Sequence, residues 1–517
     1  MLTKSDLQTY LQCPRKLWLE RHRPDLLPEE TTPSDYRRAR DGNIVGEKAR
    51  EQLGKGFIWP PSTEDKAVAA AQAKELLEAS LGTPAAEVPM FHGGVYARAD
   101  ALVPEGAGYV LKETKASSFP LKKDKVTPDD PEDHHLDDLA IQAWVMKESG
   151  LPLSRAELNL LNNQWRYPGG NDFSGLFRPM DVTPLVLERL PRVPEWAAAA
   201  EVMLEGAMPA ATTGKQCEEP YHCPFQDFCK PLDPPAPEHP IELLPDSVGK
   251  KLAKKLREAN GYTSILEPRP DELTGKQSAL YRRIQEAHRT GIAQHVPGAA
   301  EKLAAHAYPR YFFDFEGIDL PVPHWQGVRP YEQIPFQWSC HIETAPGEFR
   351  HEEFLDLTGN DPSPACIEKM RQVIDPDGHG PIYVYYATYE RGRLEELAQR
   401  HPEQADLMQK YIDRIVDLLP FVKEHYYHPE MQGSFSIKKV LPVIAPELNY
   451  DELDEVQEGT GAQVAYLYAV FDPASTPERK ADLEQKLLTY CKQDTWAMVE
   501  VAHFLAGARR PVRSQGM

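Results

Sequence analysis

Aromatic and acidic positions interleave most tightly at Tyr311-Phe312-Phe313-Asp314-Phe315-Glu316-Gly317, just after Pro309-Arg310. So short an apolar run, bounded by turn-prone residues, predicts a buried strand. Side chains alternate faces along a strand, so Asp314 and Glu316 emerge side by side. The same signals predict strands over residues 95–103 and 108–115, joined by the Gly106-Ala107-Gly108 turn, and again over 336–342 and 381–386. Elsewhere the period is helical. Residues 487–499 place Tyr490 and Asp494 four apart on one face. A helix over 247–260 gathers Lys250, Lys251, Lys254 and Lys255 into one stripe, and a second covers about 275–289.

The chain has 517 residues, enough for two or three domains. Five prolines from Pro231 to Pro240 form a stiff linker. The expected division is a module at 1–235, a linker and helical bridge at 236–305, and a last domain at 306–517. Apolar and charged shares of 41% and 26% suit a globular protein. A formal net charge of −21 excludes a surface coated in basic groups for non-specific nucleic-acid binding, but leaves room for a locally positive channel such as the lysine stripe. No apolar run is long enough to span a membrane and the first residues are polar, so no membrane partner and a cytoplasmic location are expected.

Candidate chemistry concentrates in three places. Adjacent anions on an apolar strand are costly to bury without a cation, so Asp314 and Glu316 predict a metal site. The Tyr490–Asp494 helix face would bring it a phenol and a third carboxylate. Cys217, Cys223 and Cys229 stand in one short stretch rich in Pro and aromatics, and Cys13 brings the number to four. That set suits a [4Fe-4S] cluster or a structural Zn²⁺, with His222 able to replace one thiolate in a zinc site. The hairpin over 95–115 can bring Asp100 and Glu113 around a divalent cation, with Lys115 beside Glu113 to orient water or offset phosphate charge. His134-His135, after the acidic stretch Pro128-Asp129-Asp130-Pro131-Glu132-Asp133, reads as a solvated loop.

Two of these patterns carry resemblances. Asp-x-Glu on a first strand with Tyr-x-x-x-Asp on a last helix resembles the DnaQ-like 3′–5′ exonucleases, in the subclass with a tyrosine in the final motif (DEDDy). The resemblance implies a ribonuclease-H-like mixed-sheet domain in which Asp314, Glu316, Glu390 and Asp494 hold two Mg²⁺ or Mn²⁺ ions and Tyr490 positions water. Glu390 stands where relatives carry an aspartate, and Asp417 competes for that role. Ser436-Ile437-Lys438-Lys439 resembles a helix start of the same superfamily, with lysines that could meet phosphate. The segment at 319–331, with His324, Trp325 and Tyr331, could stack on a terminal base or pack within the protein.

The framed hairpin resembles the iron–sulfur PD-(D/E)XK nucleases, which include CRISPR-associated and AddB/RecB-type nuclease domains. Cys13-Pro14-Arg15-Lys16-Leu17-Trp18-Leu19 fits their opening and Gln142 fits the glutamine of their following helix. Gly46 stands where they often carry a metal-binding histidine, leaving Glu47 as its substitute. The expected fold class is therefore α/β: a PD-(D/E)XK restriction-endonuclease-like module, a helical bridge and a ribonuclease-H-like exonuclease domain, a pairing that also resembles an uncharacterised bacterial family. The implied partner is nucleic acid, DNA more than RNA.

Overall fold

The period-two pattern around Asp314 sorts one strand's neighbours. On the Arg310–Asp319 strand, Tyr311, Phe313 and Phe315 pack with Trp338, Cys340 and the Ser363–Val373 helix, while Phe312 packs on the other side with Trp496 and Val499. The structure, a computed structural model, describes residues 1–28, 32–61, 63–448, 456 and 459–508. The chain divides into two compact units, Met1–Pro234 with Leu320–Glu332, and Pro235–Asp319 with Gln333–Met517. Both are built on mixed sheets with helices, an α/β architecture.

In the first unit the Val95–Glu105 and Gly108–Ser118 strands pair antiparallel with Leu102 opposite Leu111. Gly106 takes a φ of 60° in the turn, a region that costs most side chains energy. The Gly108–Ser118 strand then pairs parallel with Leu153–Leu161, and the Asp133–Glu148 helix makes the crossover and buries Leu136, Leu139 and Ile141 in the core. Residues 320–332 pack within this unit. Tyr167 N–H donates to Val328 O at 3.0 Å, Gly327 N–H to Tyr167 O at 2.8 Å, and Trp325 is buried. Trp325 and the half-buried Tyr331 pack within this unit, while His324 is exposed.

The second unit's sheet runs Glu348–Leu355, Gln333–Ala345, Arg310–Asp319, Ile382–Val384, Ile415–Asp417. Its first two strands are antiparallel to their neighbours and its last two parallel to Arg310–Asp319. The helix expected over 487–499 is part of a longer one, Pro477–Leu505, introduced by the Thr476 cap. The bridge helices, Asp246–Asn260 and Ser278–Thr290, do not stand apart: Leu256, Tyr281 and Ile284 share a core with Val422, Tyr427 and Val501 of the same unit.

No helix among the described residues is long and apolar enough to cross a membrane. Phe313 is 2% exposed at the centre of its layer. Phe313→Ala should cost about 3–5 kcal/mol, read as a lower urea midpoint.

Candidate metal centres

Docking of the Pro477–Leu505 helix on the sheet, through Trp496 and Val499 against Phe312, sets Asp494 opposite the acidic face of the first strand. One oxygen from each of Asp314, Glu316 and Asp494 lies within 4.8 Å of the others. Glu390, in the first turn of the Thr388–Arg400 helix, is buried and shares a hydrogen bond with Asp314, while its Oε2 has no partner. Tyr490, one helical turn before Asp494, is hydrogen-bonded to it. The Lys438 ammonium stands 5.5 Å from the Tyr490 ring centre.

Electrostatics register the crowding. Burial, then Asp494, Glu316 and Glu390, push the Asp314 carboxyl well above its usual range. Burial and Asp494 raise Glu316 to about 8, against an opposing pull from Lys438. Burial raises Glu390 to about 8 as well. Burial and the surrounding carboxylates likewise hold the proton on Tyr490. Hard oxygen donors converging in a dry site fit a divalent cation, which would return these acids to their charged forms.

Asp417, the competitor of Glu390, has a different task. Its oxygens accept the N–H groups of Tyr386 at 2.9 Å, Ala387 at 3.0 Å and Leu419 at 3.0 Å. It thereby caps its own helix and stabilises the turn at Tyr386, whose φ is +75°, just before the helix that carries Glu390.

The acidic hairpin of the first unit is neutralised by lysines. Glu113 is 3% exposed. It accepts from Lys115 at 2.7 Å, Lys4 at 3.2 Å and Gln142 at 2.7 Å. Asp138 accepts from Lys115, from Gln142 at 3.0 Å, and pairs with Lys4 at 3.0 Å. Glu113, Lys115 and Gln142 were visible in the sequence; Lys4 and Asp138 were not. Asp138 precedes Gln142 by one helical turn, a detectable signal, whereas Lys4 arrives only because the Leu2–Thr3 strand pairs beside Val95. Asp100 accepts from Thr114 N–H at 2.8 Å, and burial followed by Glu113 raises it to about 7.

Asp100 and Glu113 line a cavity of about 290 Å³ with Gly46, Arg50 and Asn159. Glu47 does not substitute for the missing histidine. It is exposed on the Pro33–Glu51 helix and is not among the lining residues, because the helix turns Gly46 and Arg50 inward.

Cys13, Cys217, Cys223 and Cys229 line one small cavity, although they lie far apart in sequence. Gln12 ties the loop down by donating to Gln216 O at 2.8 Å and Tyr221 O at 2.6 Å. Burial raises the Cys223 thiol to about 11. His222 is turned outward to Glu218 at 3.1 Å and does not line this cavity.

His134 and His135 lie in the first helical turn of Asp133–Glu148, not in a loop, and His135 is buried. The acidic stretch ends in a helix start there, because Glu132 supplies an extended N-cap backbone.

A carboxyl whose pKa is raised on folding stabilises the fold below its unfolded pKa and loses that contribution as pH rises through the folded value. The metal-free protein should therefore lose thermal stability between about pH 4.5 and 8, the interval over which Glu316 is shifted. Added Mn²⁺ should raise the melting temperature, increasingly so toward pH 8, as a calorimetric series would show. Asp417→Ala should cost about 1–3 kcal/mol through its orphaned N–H groups, as read by melting temperature.

A family model described as a domain of unknown function, DUF2779, matches residues 311–436. That span holds Asp314, Glu316, Glu390 and Asp417, and stops short of Tyr490 and Asp494. The chain is also similar to the uncharacterized protein UU173 of Ureaplasma parvum serovar 3, 27% identical over 216 residues, covering 38% of this chain and 31% of that protein. The chain thus spans about a third of the length of this curated relative.

Proposed function

We propose that the chain is a metal-dependent nuclease whose second unit is a ribonuclease-H-like, DnaQ-type 3′–5′ exonuclease acting on single-stranded or end-exposed nucleic acid, DNA in preference to RNA. The observation that carries this reading is the convergence of Asp314, Glu316 and Asp494 within 4.8 Å, with Glu390 bonded to Asp314. These residues would hold two Mg²⁺ or Mn²⁺ ions, which when bound polarise the attacking water and offset charge on the leaving oxygen. Tyr490 gives its one O–H to Asp494, so its oxygen would orient water as an acceptor and it would not be the base. The Lys438 ammonium faces Glu316, where it tempers the local negative charge and can meet a phosphate. In the same unit Lys250, Lys423, Tyr385 and Tyr386 line a cavity of about 600 Å³ that suits a strand's backbone and bases.

The first unit would be an iron–sulfur PD-(D/E)XK-like module. The four thiols gathered around one cavity would suit a [4Fe-4S] cluster, with Zn²⁺ as the alternative. A second reading, an inert nucleic-acid-binding scaffold for this unit alone, is favoured by its charge balance. Lys4 and Lys115 already neutralise Glu113 and Asp138.

Asp314→Asn and Asp494→Asn should each lower cleavage of 3′-labelled single-stranded DNA by about a hundredfold or more, while Lys115→Ala leaves it unchanged. Parental rates in both asparagine variants would reject the assignment.

A further inference from the structure

His134 and His135 take no part in the hydrogen-bond networks of either acidic site, yet they are organised. Their ring centres stand 4.0 Å apart, and His134 Nδ1 lies 3.2 Å from Glu132 Oε2. One ligand atom from each of Glu132, His134 and His135 falls within 4.8 Å of the other two. His135 is 7% exposed.

The group is held from outside. The Tyr221 ring meets His134 edge-on at 5.6 Å, and Tyr221 is itself fixed by Gln12 at its carbonyl and by the Arg38 guanidinium 5.0 Å from its ring. The helix start and nearby Lys115 disfavour a cation, but Glu132, Asp137 and Asp138 supply opposing charge. Two imidazoles and one carboxylate are the donor set of a zinc-class ion with one position open to water, whereas Mg²⁺ and Ca²⁺ prefer all-oxygen sites.

We propose that Glu132, His134 and His135 form a binding site for a divalent ion of the zinc class, with a ligand set distinct from the cysteines and from the carboxylates of the second unit. The test uses full-length protein stripped of loosely held divalent ions with EDTA, then titrated with Zn²⁺ in excess Mg²⁺ so that all-oxygen sites stay filled. Calorimetry and metal content after desalting are the readouts. His134→Ala and Glu132→Gln alter side chains that are 23% and 71% exposed, so the fold should survive them. Each should lose one equivalent of Zn²⁺ per chain or bind it about tenfold or more weakly. Co²⁺ added to the parent should give visible d–d bands without new thiolate charge-transfer absorption, and His134→Ala should remove them. Unchanged zinc content and affinity in both variants would overturn the site, whatever the outcome for the buried His135→Ala.

Discussion

Mutual repulsion among buried carboxylates is the constraint around which the second unit is arranged. Asp314 and Glu316 stand on one face of a central strand, Asp494 meets them from a helix, and Glu390 closes the group. Removing such charges from water is costly unless protons or cations compensate. The surrounding apolar packing, Phe312 on Trp496 on one side and Phe313 on Trp338 on the other, supplies the stability that keeps the acids together. Rigid elements on both sides also fix the positions of the carboxylate oxygens.

The first unit meets the same problem with a different answer. Glu113 and Asp138 are as deeply buried, but Lys4 and Lys115 stand between them. Burial pulls both ammonium groups down, and the carboxylates more than offset it, so they stay charged. Asp100 is left with the Thr114 amide and takes the remaining penalty as a raised pKa. A carboxylate cluster with internal amines and one without are therefore built from similar strand chemistry within one chain.

Positioning and chemistry are also separated within the second unit. Asp417 and Glu390 are both acidic residues beside the same sheet edge, yet Asp417 spends its oxygens on backbone N–H groups and Glu390 keeps one free of protein partners. The first holds the turn that the second stands on. A left-handed tyrosine at that turn persists because the neighbouring backbone is over-determined by those bonds.

The sequence alone determined much of this. Period-two alternation placed Asp314 with Glu316, helical spacing placed Tyr490 with Asp494, and a glycine turn joined Asp100 to Glu113, because each relation is fixed by local backbone geometry. Gathering of the four cysteines was foreseeable from their chemistry. What only the tertiary structure decided was orientation over long sequence separations. The facing of Lys4 to Asp138, the inward turn of Gly46 in place of Glu47, the outward turn of His222 and the burial of His135 each depend on which face a helix presents once packed. That choice is made by the summed apolar contacts of the whole unit, and no short stretch of sequence contains it.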